Sequence, residues 1–480
     1  MLTLAALAVA PLLLCSCSVG PDYVRTKTDA PAVYKELKGW KVAAPQDEIA
    51  RGKWWEIFGD PVLDHLAAQI NVSNQSIALA ESQYRQAAAQ VRLARSNYFP
   101  VVGTDAAYQR SRGPATGNEI ANVHQLSLNA SWELDIWGKV RRQVEAGTAA
   151  AAASLADLEA MRLSLQTELV LDYYQLRMID EQKKNLDRSI AAYEKVLKLT
   201  EHRFRAGVAA KADVVQAQTQ LKSTQAQAID LGIFRAELEH AIAILIGKPP
   251  ARFSLPAAEF AWPQITIPVG LPSELLERRP DIAAAERRMA AANAQIGVAK
   301  AAYYPTLTLS GSLGYQGAEL ANLFTSPHFF WAIGPLVAAA TIFDGGARAA
   351  KTDQARAAYE GAVANYRQTV LTAFQGVEDN LAALRILEEE AKVQDEAVGA
   401  ARESVRITTN QYQAGTVSYL SVAVVQTAAL ANERTAISIS GQRMRAAALL
   451  VKALGGGWSA DVQTRAQAKD ALSTSSNRPN

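Results

Sequence analysis

The chain contains few of the residues from which catalytic or metal-binding sites are built. Its 480 residues include two cysteines and five histidines, and the histidines are scattered without the spacing of metal ligands. No nucleophile–base pair or glycine-rich nucleotide loop is present, so the sequence does not indicate an enzyme. Lysine plus arginine (49) nearly balances aspartate plus glutamate (47), and no basic run could follow a phosphate backbone. Nucleic acid is therefore not an expected partner.

Long apolar runs are also missing beyond the N-terminus, so no transmembrane helix is predicted. The apolar run from Leu2 to Leu14 is too short to span a bilayer but suits the central region of a signal peptide. It ends at Leu14-Cys15-Ser16-Cys17, which resembles a bacterial lipobox. We expect a lipoprotein signal peptide at 1–16 and covalent diacylglycerol and N-palmitoyl lipid on Cys17, with no other cofactor. The alternative is an ordinary secretory peptide with an incidental cysteine.

Internal repetition is what the chain has in abundance. Tyr98-Phe99-Pro100 returns as Tyr303-Tyr304-Pro305, 205 residues later, and Arg203–Gly207 returns as Gln411–Gly415, 208 residues later. A fixed period of this length implies a duplicated unit of roughly 200 residues. The predicted segments are a lipid-anchored extended segment at 17–59, repeat 1 at 60–247, a proline-rich linker at 248–272, repeat 2 at 273–455 and a disordered polar tail at 456–480.

Both repeats have the same predicted order of elements. Strict alternation of apolar and polar residues over 125–134 and 306–315 predicts a β-strand in each, and a weaker partner strand completes each hairpin. Helical spacing of apolar residues fills most of the rest, and the longest helices would measure about 100 Å at 1.5 Å per residue. The predicted hairpins are at about 101–134 and 306–343, and the predicted helices are at 62–97, 138–205, 212–246, 347–413 and 419–454.

Two hairpins supply four strands, which cannot close a barrel, although ten-residue alternating strands match the length of transmembrane β-strands. Lipid does not tolerate open sheet edges, so the strands must close with other copies of the chain. Three copies would supply twelve strands, enough to leave a lumen. The sequence thus predicts a mainly α-helical fold with a membrane β-barrel. The helices are too polar for the membrane and must project from it as coiled coils.

Several motifs resemble those of the NodT/OprM branch of TolC-like outer-membrane efflux proteins, and the resemblance covers nearly the whole chain. They are Cys17–Tyr23, Trp54-Trp55 with Asp60-Pro61, Arg278–Glu286, Gln295–Pro305 and Phe343–Gly346. The resemblance implies a homotrimeric lipoprotein in the outer membrane of a Gram-negative bacterium, with a twelve-stranded β-barrel on a periplasmic α-helical barrel. The implied function is the passive exit channel of a tripartite efflux pump. Its implied partners are a periplasmic adaptor (membrane fusion) protein and an inner-membrane transporter, usually of the RND type.

The resemblance also implies roles at the two helix–turn–helix tips. The turns would dock on the adaptor, and they are Ala206-Gly207-Val208 and Ala414-Gly415-Thr416. Asp213 and Tyr412 match family positions whose side chains link neighbouring helices near the closed tip, so they would form a periplasmic gate. Family members often carry acidic residues that ring the constriction. Ser421 and Val424 replace them here, and closure would then depend more on apolar packing.

Two other functions remain open from the sequence. The same channel could serve a type I protein secretion system, which the lipobox and the Gly20-Pro21-Asp22-Tyr23 start disfavour. The chain could instead be a structural tether that spans the periplasm without transporting anything. A tip that never conducts would favour the tether.

Overall fold

A computed structural model describes residues 18–24, 31, 34–36, 53–114, 118–258, 262 and 279–456. The predicted signal peptide, Cys17, most of the linker and the tail beyond Gly456 lie outside the described residues. The described part contains seven α-helices and four β-strands. In chain order they are α1 Pro61–Ser73, α2 Gln75–Ser96, β1 Val101–Arg112, β2 Ile120–Leu134, α3 Lys139–Arg205, α4 Lys211–Leu245, α5 Pro280–Ala301, β3 Thr306–Gly317, β4 Phe329–Ala339, α6 Ala347–Gln413 and α7 Tyr419–Ala453.

The element lengths reproduce the internal repeat. α2 and α5 each have 22 residues, and β1 and β3 each have 12. α3 and α6 each have 67 residues, and α4 and α7 each have 35. The four long helices begin and end within one residue of the predicted bounds. Equal lengths in equal order are what a duplicated unit requires.

The helix predicted over 62–97 is wrong as a single element, because Asn74 divides it into α1 and α2. Asn74 has extended backbone angles (φ −72°, ψ 123°). Its side-chain oxygen accepts hydrogen bonds from the backbone N–H groups of Ser76 (2.9 Å) and Ile77 (3.1 Å), and its amide donates to the carbonyl of Leu245 (2.8 Å). Asn74 is thus the N-cap of α2. Apolar periodicity does not reveal a cap inside a continuous helical pattern.

The four strands form one antiparallel sheet in the order β1-β2-β3-β4. Both predicted hairpins are present, although β4 ends at Ala339 rather than at residue 343. The central pair, β2 with β3, joins the two repeats through a continuous register from His124 opposite Gly317 to Leu134 opposite Leu307. β1 and β4 are the edges of the sheet.

The two faces of the sheet differ in polarity, because side chains alternate along each strand. Leu128, Leu313 and Trp331 lie side by side on one face, and all three are exposed. The other face carries Asp105 and Asn129, which are hydrogen-bonded to each other across β1 and β2. Serines at 127, 131, 310 and 312 extend this polar face.

The chain divides into two compact units, and neither is one of the repeats. The first comprises 1–28, 82–155 and 284–368 and contains the sheet; the second comprises 29–81, 156–283 and 369–480 and contains both helical tips. Each unit draws elements from both repeats, so duplicated elements pack with each other instead of forming separate halves. Among the described residues, no helix combines the length and the hydropathy that a membrane span requires.

In the first unit, the segment after Cys17 is held by a buried arginine. Arg142 is 4% exposed at its side chain and pairs with Asp22 and Glu145, each at 2.7 Å. It also donates to the carbonyls of Val19 (3.4 Å) and Gly20 (3.3 Å). A Cβ on Gly20 would lie 2.5 Å from a backbone atom of α5, so only glycine fits this close approach.

In the second unit, hydrogen bonds from two ion-paired arginines fasten the start of the predicted linker to α3 and α4. Asp180 on α3 contacts Arg177 (3.3 Å) and Arg235 of α4 (2.8 Å), and its side chain is 5% exposed. Arg177 also donates to the carbonyl of Pro256 (3.0 Å), and Arg235 donates to the carbonyl of Leu255 (2.5 Å). The first residues of the linker are thus bound to the helices.

Candidate functional site: the helical tips

The first tip is the turn between α3 and α4. Gly207 adopts a left-handed conformation (φ 74°), and Val208 N–H donates to the carbonyl of Arg203 (2.8 Å). This is the usual way in which a glycine ends a helix. Ala206, Gly207 and Val208 are all exposed, and a Cβ on Gly207 would meet no atom within 4 Å. The predicted docking residues are thus accessible in the single chain.

The second tip, between α6 and α7, repeats this geometry. Gly415 has φ 82°, its N–H donates to the carbonyl of Tyr412 (3.0 Å), and Thr416 N–H donates to the carbonyl of Gln411 (3.0 Å). Ala414, Gly415 and Thr416 are exposed. The two turns that the sequence singled out are therefore structural equivalents.

An apolar layer directly behind the turns packs all four long helices together. α3 contributes Val196, α4 contributes Ala217, α6 contributes Tyr412, and α7 contributes Tyr419 and Val422. The Tyr412 and Tyr419 rings meet edge to face, with centroids 6.1 Å apart. Such pairs stabilise packing beyond their buried area. Aromatic and aliphatic contacts thus hold the four helices of one chain together behind the turns.

Tyr412 makes contacts through its hydroxyl, its backbone carbonyl and its ring. Its hydroxyl is 2.9 Å from Thr200 Oγ1, and both side chains are buried. Thr200 Oγ1 also donates to the carbonyl of Val196 (2.9 Å), so its single proton is used there. The Tyr412 hydroxyl is therefore the donor to Thr200. The Arg203 guanidinium donates to the Tyr412 carbonyl and lies 4.8 Å from the centre of the Tyr412 ring.

Asp213 has a different local role from the one predicted. Its carboxylate accepts the backbone N–H of Ala210 (3.2 Å) and so caps the first turn of α4. Within the described residues, the Tyr412 hydroxyl is paired with Thr200 rather than with Asp213. Asp213 and Tyr412 thus share no direct hydrogen bond in the described part of the single chain. The link between neighbouring helices and the gating role that the resemblance implies for them stay predictions.

The hydroxyl of Tyr419, in the same apolar layer, has a raised pKa. Burial, together with the nearby Tyr193, Tyr412 and Asp213, raises the pKa of its hydroxyl to about 12. The physical cause is that a phenolate loses its hydration in the packed layer. Tyr419 therefore stays neutral at physiological pH.

Two residues that the sequence analysis did not single out, Thr200 and Arg203, hold the tip. Arg203 aligns with Gln411 in the second repeat and Arg205 aligns with Gln413, so the first tip motif carries two positive charges that the second lacks. This difference in charge between the two repeats is visible in the sequence and could have pointed to Arg203. Thr200 gave no signal, because a threonine within a long helix reads as a surface residue.

The remaining predicted positions carry little chemistry in the single chain. Val424 is 60% exposed on α7, and Ser421 is half-buried. Cys17 lies outside the described residues. Across the described ranges, no group of three or more His, Cys, Asp or Glu side chains could hold a metal ion.

Comparison with known proteins agrees with this architecture. The sequence model of the family described as "Outer membrane efflux protein" matches residues 66–248 and 271–456. The two matched stretches nearly coincide with the two repeats, and they cover most of the chain. The chain therefore belongs to the outer membrane efflux protein family.

Individual relatives span the same length. The pyoverdine export outer membrane protein OpmQ of Pseudomonas aeruginosa is 31% identical over 466 residues, which cover 94% of this chain and 96% of OpmQ. Outer membrane protein OprJ of the same species is 31% identical over 458 residues, covering 93% and 94%. The solved structure of the outer-membrane channel OprN has a TM-score of 0.86 and 31% identity, covering 92% of this chain and 100% of OprN. The chain is thus an outer-membrane efflux channel, a transport conduit and not an enzyme.

Proposed function

We propose that three copies of the chain form the exit duct of a tripartite efflux pump, with their sheets closed into one twelve-stranded β-barrel. The observation that carries this proposal is the sheet itself. Its edges, β1 and β4, have no partner strand in the described part of the chain, and lipid does not tolerate open edges. The face with Leu128, Leu313 and Trp331 suits contact with lipid, and the face with Asp105 and Asn129 suits a water-filled passage.

The partners in this proposal are a periplasmic adaptor protein and an inner-membrane transporter of the RND type. The exposed turns Ala206–Val208 and Ala414–Thr416 are the proposed docking surface for the adaptor. The channel contributes no energy. It lowers the barrier for polar or amphipathic solutes by keeping them in water across lipid, and the transporter supplies the driving force.

The lipid anchor on Cys17 is part of the same proposal. The segment that follows Cys17 is fastened by Arg142, so an acyl group on this cysteine would be attached next to a fixed part of the first unit. Diacylglycerol and an N-palmitoyl group would together supply three acyl chains, more than the two that stable anchoring takes, and the barrel would add to this attachment.

The test is native mass spectrometry of full-length protein extracted from outer membranes in detergent, followed by recording in planar bilayers. We expect the mass of three processed chains with three lipid increments, and an aqueous pore in the same preparation. A soluble, unlipidated monomer without conductance would contradict the proposal and favour a structural tether. Restored drug resistance in a channel-deleted strain that retains its adaptor and RND transporter would support the efflux role against protein secretion.

A further inference from the structure

Arg203 connects the two helical tips of one chain. Its backbone carbonyl accepts the N–H groups of Val208 (2.8 Å) and Ala209 (3.3 Å), which closes the first turn. Its guanidinium donates to the Tyr412 carbonyl at the end of α6 and stacks over the Tyr412 ring, 4.8 Å from its centre. One residue thus belongs to the first turn through its backbone and to the second tip through its side chain.

The charge of Arg203 is directed to the second tip and to nothing else. Among the residues that the structure describes, no carboxylate lies within ion-pair distance of Arg203, and its Nε has no hydrogen-bond partner. The last carbonyls of a helix carry a partial negative charge, and an aromatic face attracts a cation. The end of α6 offers both to the guanidinium.

The guanidinium also lies against the second docking turn. A Cβ built on Gly415 would be 3.5 Å from Nη2 of Arg203. A partner that presses on this turn therefore reaches Arg203 before it reaches the apolar layer behind it. The matching position in repeat 2 is Gln411, which is exposed, so the chain carries one such arginine contact and not a symmetric pair.

We propose that Arg203 is the clamp that keeps the second tip closed against the first, and that adaptor contact at Gly415 releases it. This inference rests on the proposed function and adds the residue through which docking is coupled to opening. Tyr412 is the partner of the clamp through its ring and carbonyl. Among the described residues, the guanidinium is the only charged group that links the end of α6 to the first turn, and this link is lost when the guanidinium leaves.

The first experiment compares R203Q with R205Q in trimers recorded in planar bilayers without adaptor. Arg205 is exposed, and its contacts are with Glu201 and His202 of its own helix, so R205Q is the matched control. We expect R203Q to raise the open-to-closed ratio about tenfold, because a charge-assisted hydrogen bond and a cation–π contact are both lost. R205Q is expected to leave the ratio unchanged. An unaltered ratio in R203Q, with trimers confirmed by native mass spectrometry, would overturn the clamp.

Two further variants separate a clamp from a general packing effect. R203K keeps the positive charge, so its ratio should lie between those of wild type and R203Q; a ratio equal to that of R203Q would overturn the role of charge. Y412L removes the ring, so the double variant R203Q/Y412L should open less than the product of the two single effects. A fully multiplicative effect would show that the residues act independently and would also overturn the clamp. If R203Q yields no trimers, R203K carries the comparison with wild type.

The result also separates failure of the clamp from failure of the proposed function. If the wild-type chain forms no pore at all, the exit-duct proposal fails. If the wild type conducts and restores efflux while R203Q behaves identically, only the clamp fails.

Discussion

The buried hydrogen bond from Tyr412 to Thr200 allows a test with a defined sign. Thr200 is 0% exposed and Tyr412 is 2% exposed, so water cannot replace a lost partner in the closed tip. Thr200→Val keeps the side-chain shape but removes the acceptor, which leaves the Tyr412 hydroxyl buried and unpaired. Such a group costs about 1–3 kcal/mol, whereas replacing both partners by apolar groups is close to neutral. The double variant Thr200→Val with Tyr412→Phe should therefore recover most of the loss.

Hydrogen exchange with mass spectrometry measures this effect without requiring reversible unfolding of a membrane protein, because it reports local opening. A change of 1–3 kcal/mol corresponds to an increase of about 5- to 150-fold in the exchange rate of amides in the second turn of the Thr200→Val variant. The double variant should return to within about threefold of wild type, since both buried polar groups are gone. The control is Thr219→Val, whose hydroxyl bonds only within its own exposed stretch of α4. A double variant that exchanges faster than Thr200→Val would refute the reasoning.

Three further changes test other parts of the structure. Valine in place of Gly207 or Gly415 forces a left-handed residue that costs about 1–2 kcal/mol, so we expect loss of drug export while trimers persist; normal resistance in a susceptibility assay would remove the docking assignment. Cys17→Ser should abolish acylation, and a lipid increment that persists in the intact mass would place the anchor elsewhere. Burial raises the pKa of Tyr419 from about 10 to about 12, so its contribution to stability is complete below pH 10 and is lost as the pH rises towards 12. Tyr419→Phe should reduce the loss of thermal stability between pH 9 and pH 11, and an unchanged loss would assign the alkaline sensitivity to other groups.

The sequence predicts the long elements well because their signals are repeated over many residues. The 67-residue helices α3 and α6 carry apolar spacing over many turns, and the predicted bounds differ from the observed ones by a single residue, at the start of α3. The alternation of apolar and polar residues at 125–134 likewise predicts β2, because a repeat of two residues fits a strand with one polar face and does not fit a helix. Because of the duplication, each element is also predicted a second time, from the sequence of the other repeat.

The sequence did not predict the contacts that depend on one side chain. Asn74 caps a helix within a continuous apolar pattern, and nothing in that pattern marks the break. Asp213 and Tyr412 were assigned to each other by resemblance, but Thr200 lies closer to the Tyr412 hydroxyl once four helices pack together. Pairings of this kind depend on the rotation of each helix about its axis. A sequence pattern defines the apolar face of a helix but not which polar residue meets its neighbour.

The seam between β2 and β3 has a consequence for symmetry. It pairs the second strand of one repeat with the first strand of the next, within a single chain. A ring of three chains would need the same kind of pairing between β4 and β1 of adjacent subunits, and these edge strands have nearly equal lengths of 11 and 12 residues. The ring would then contain six similar pairings, in which three β2–β3 pairings within chains alternate with three β4–β1 pairings between chains. In such a ring, the pairing of β2 with β3 would be the template for the subunit interface, and assembly would require no second type of junction.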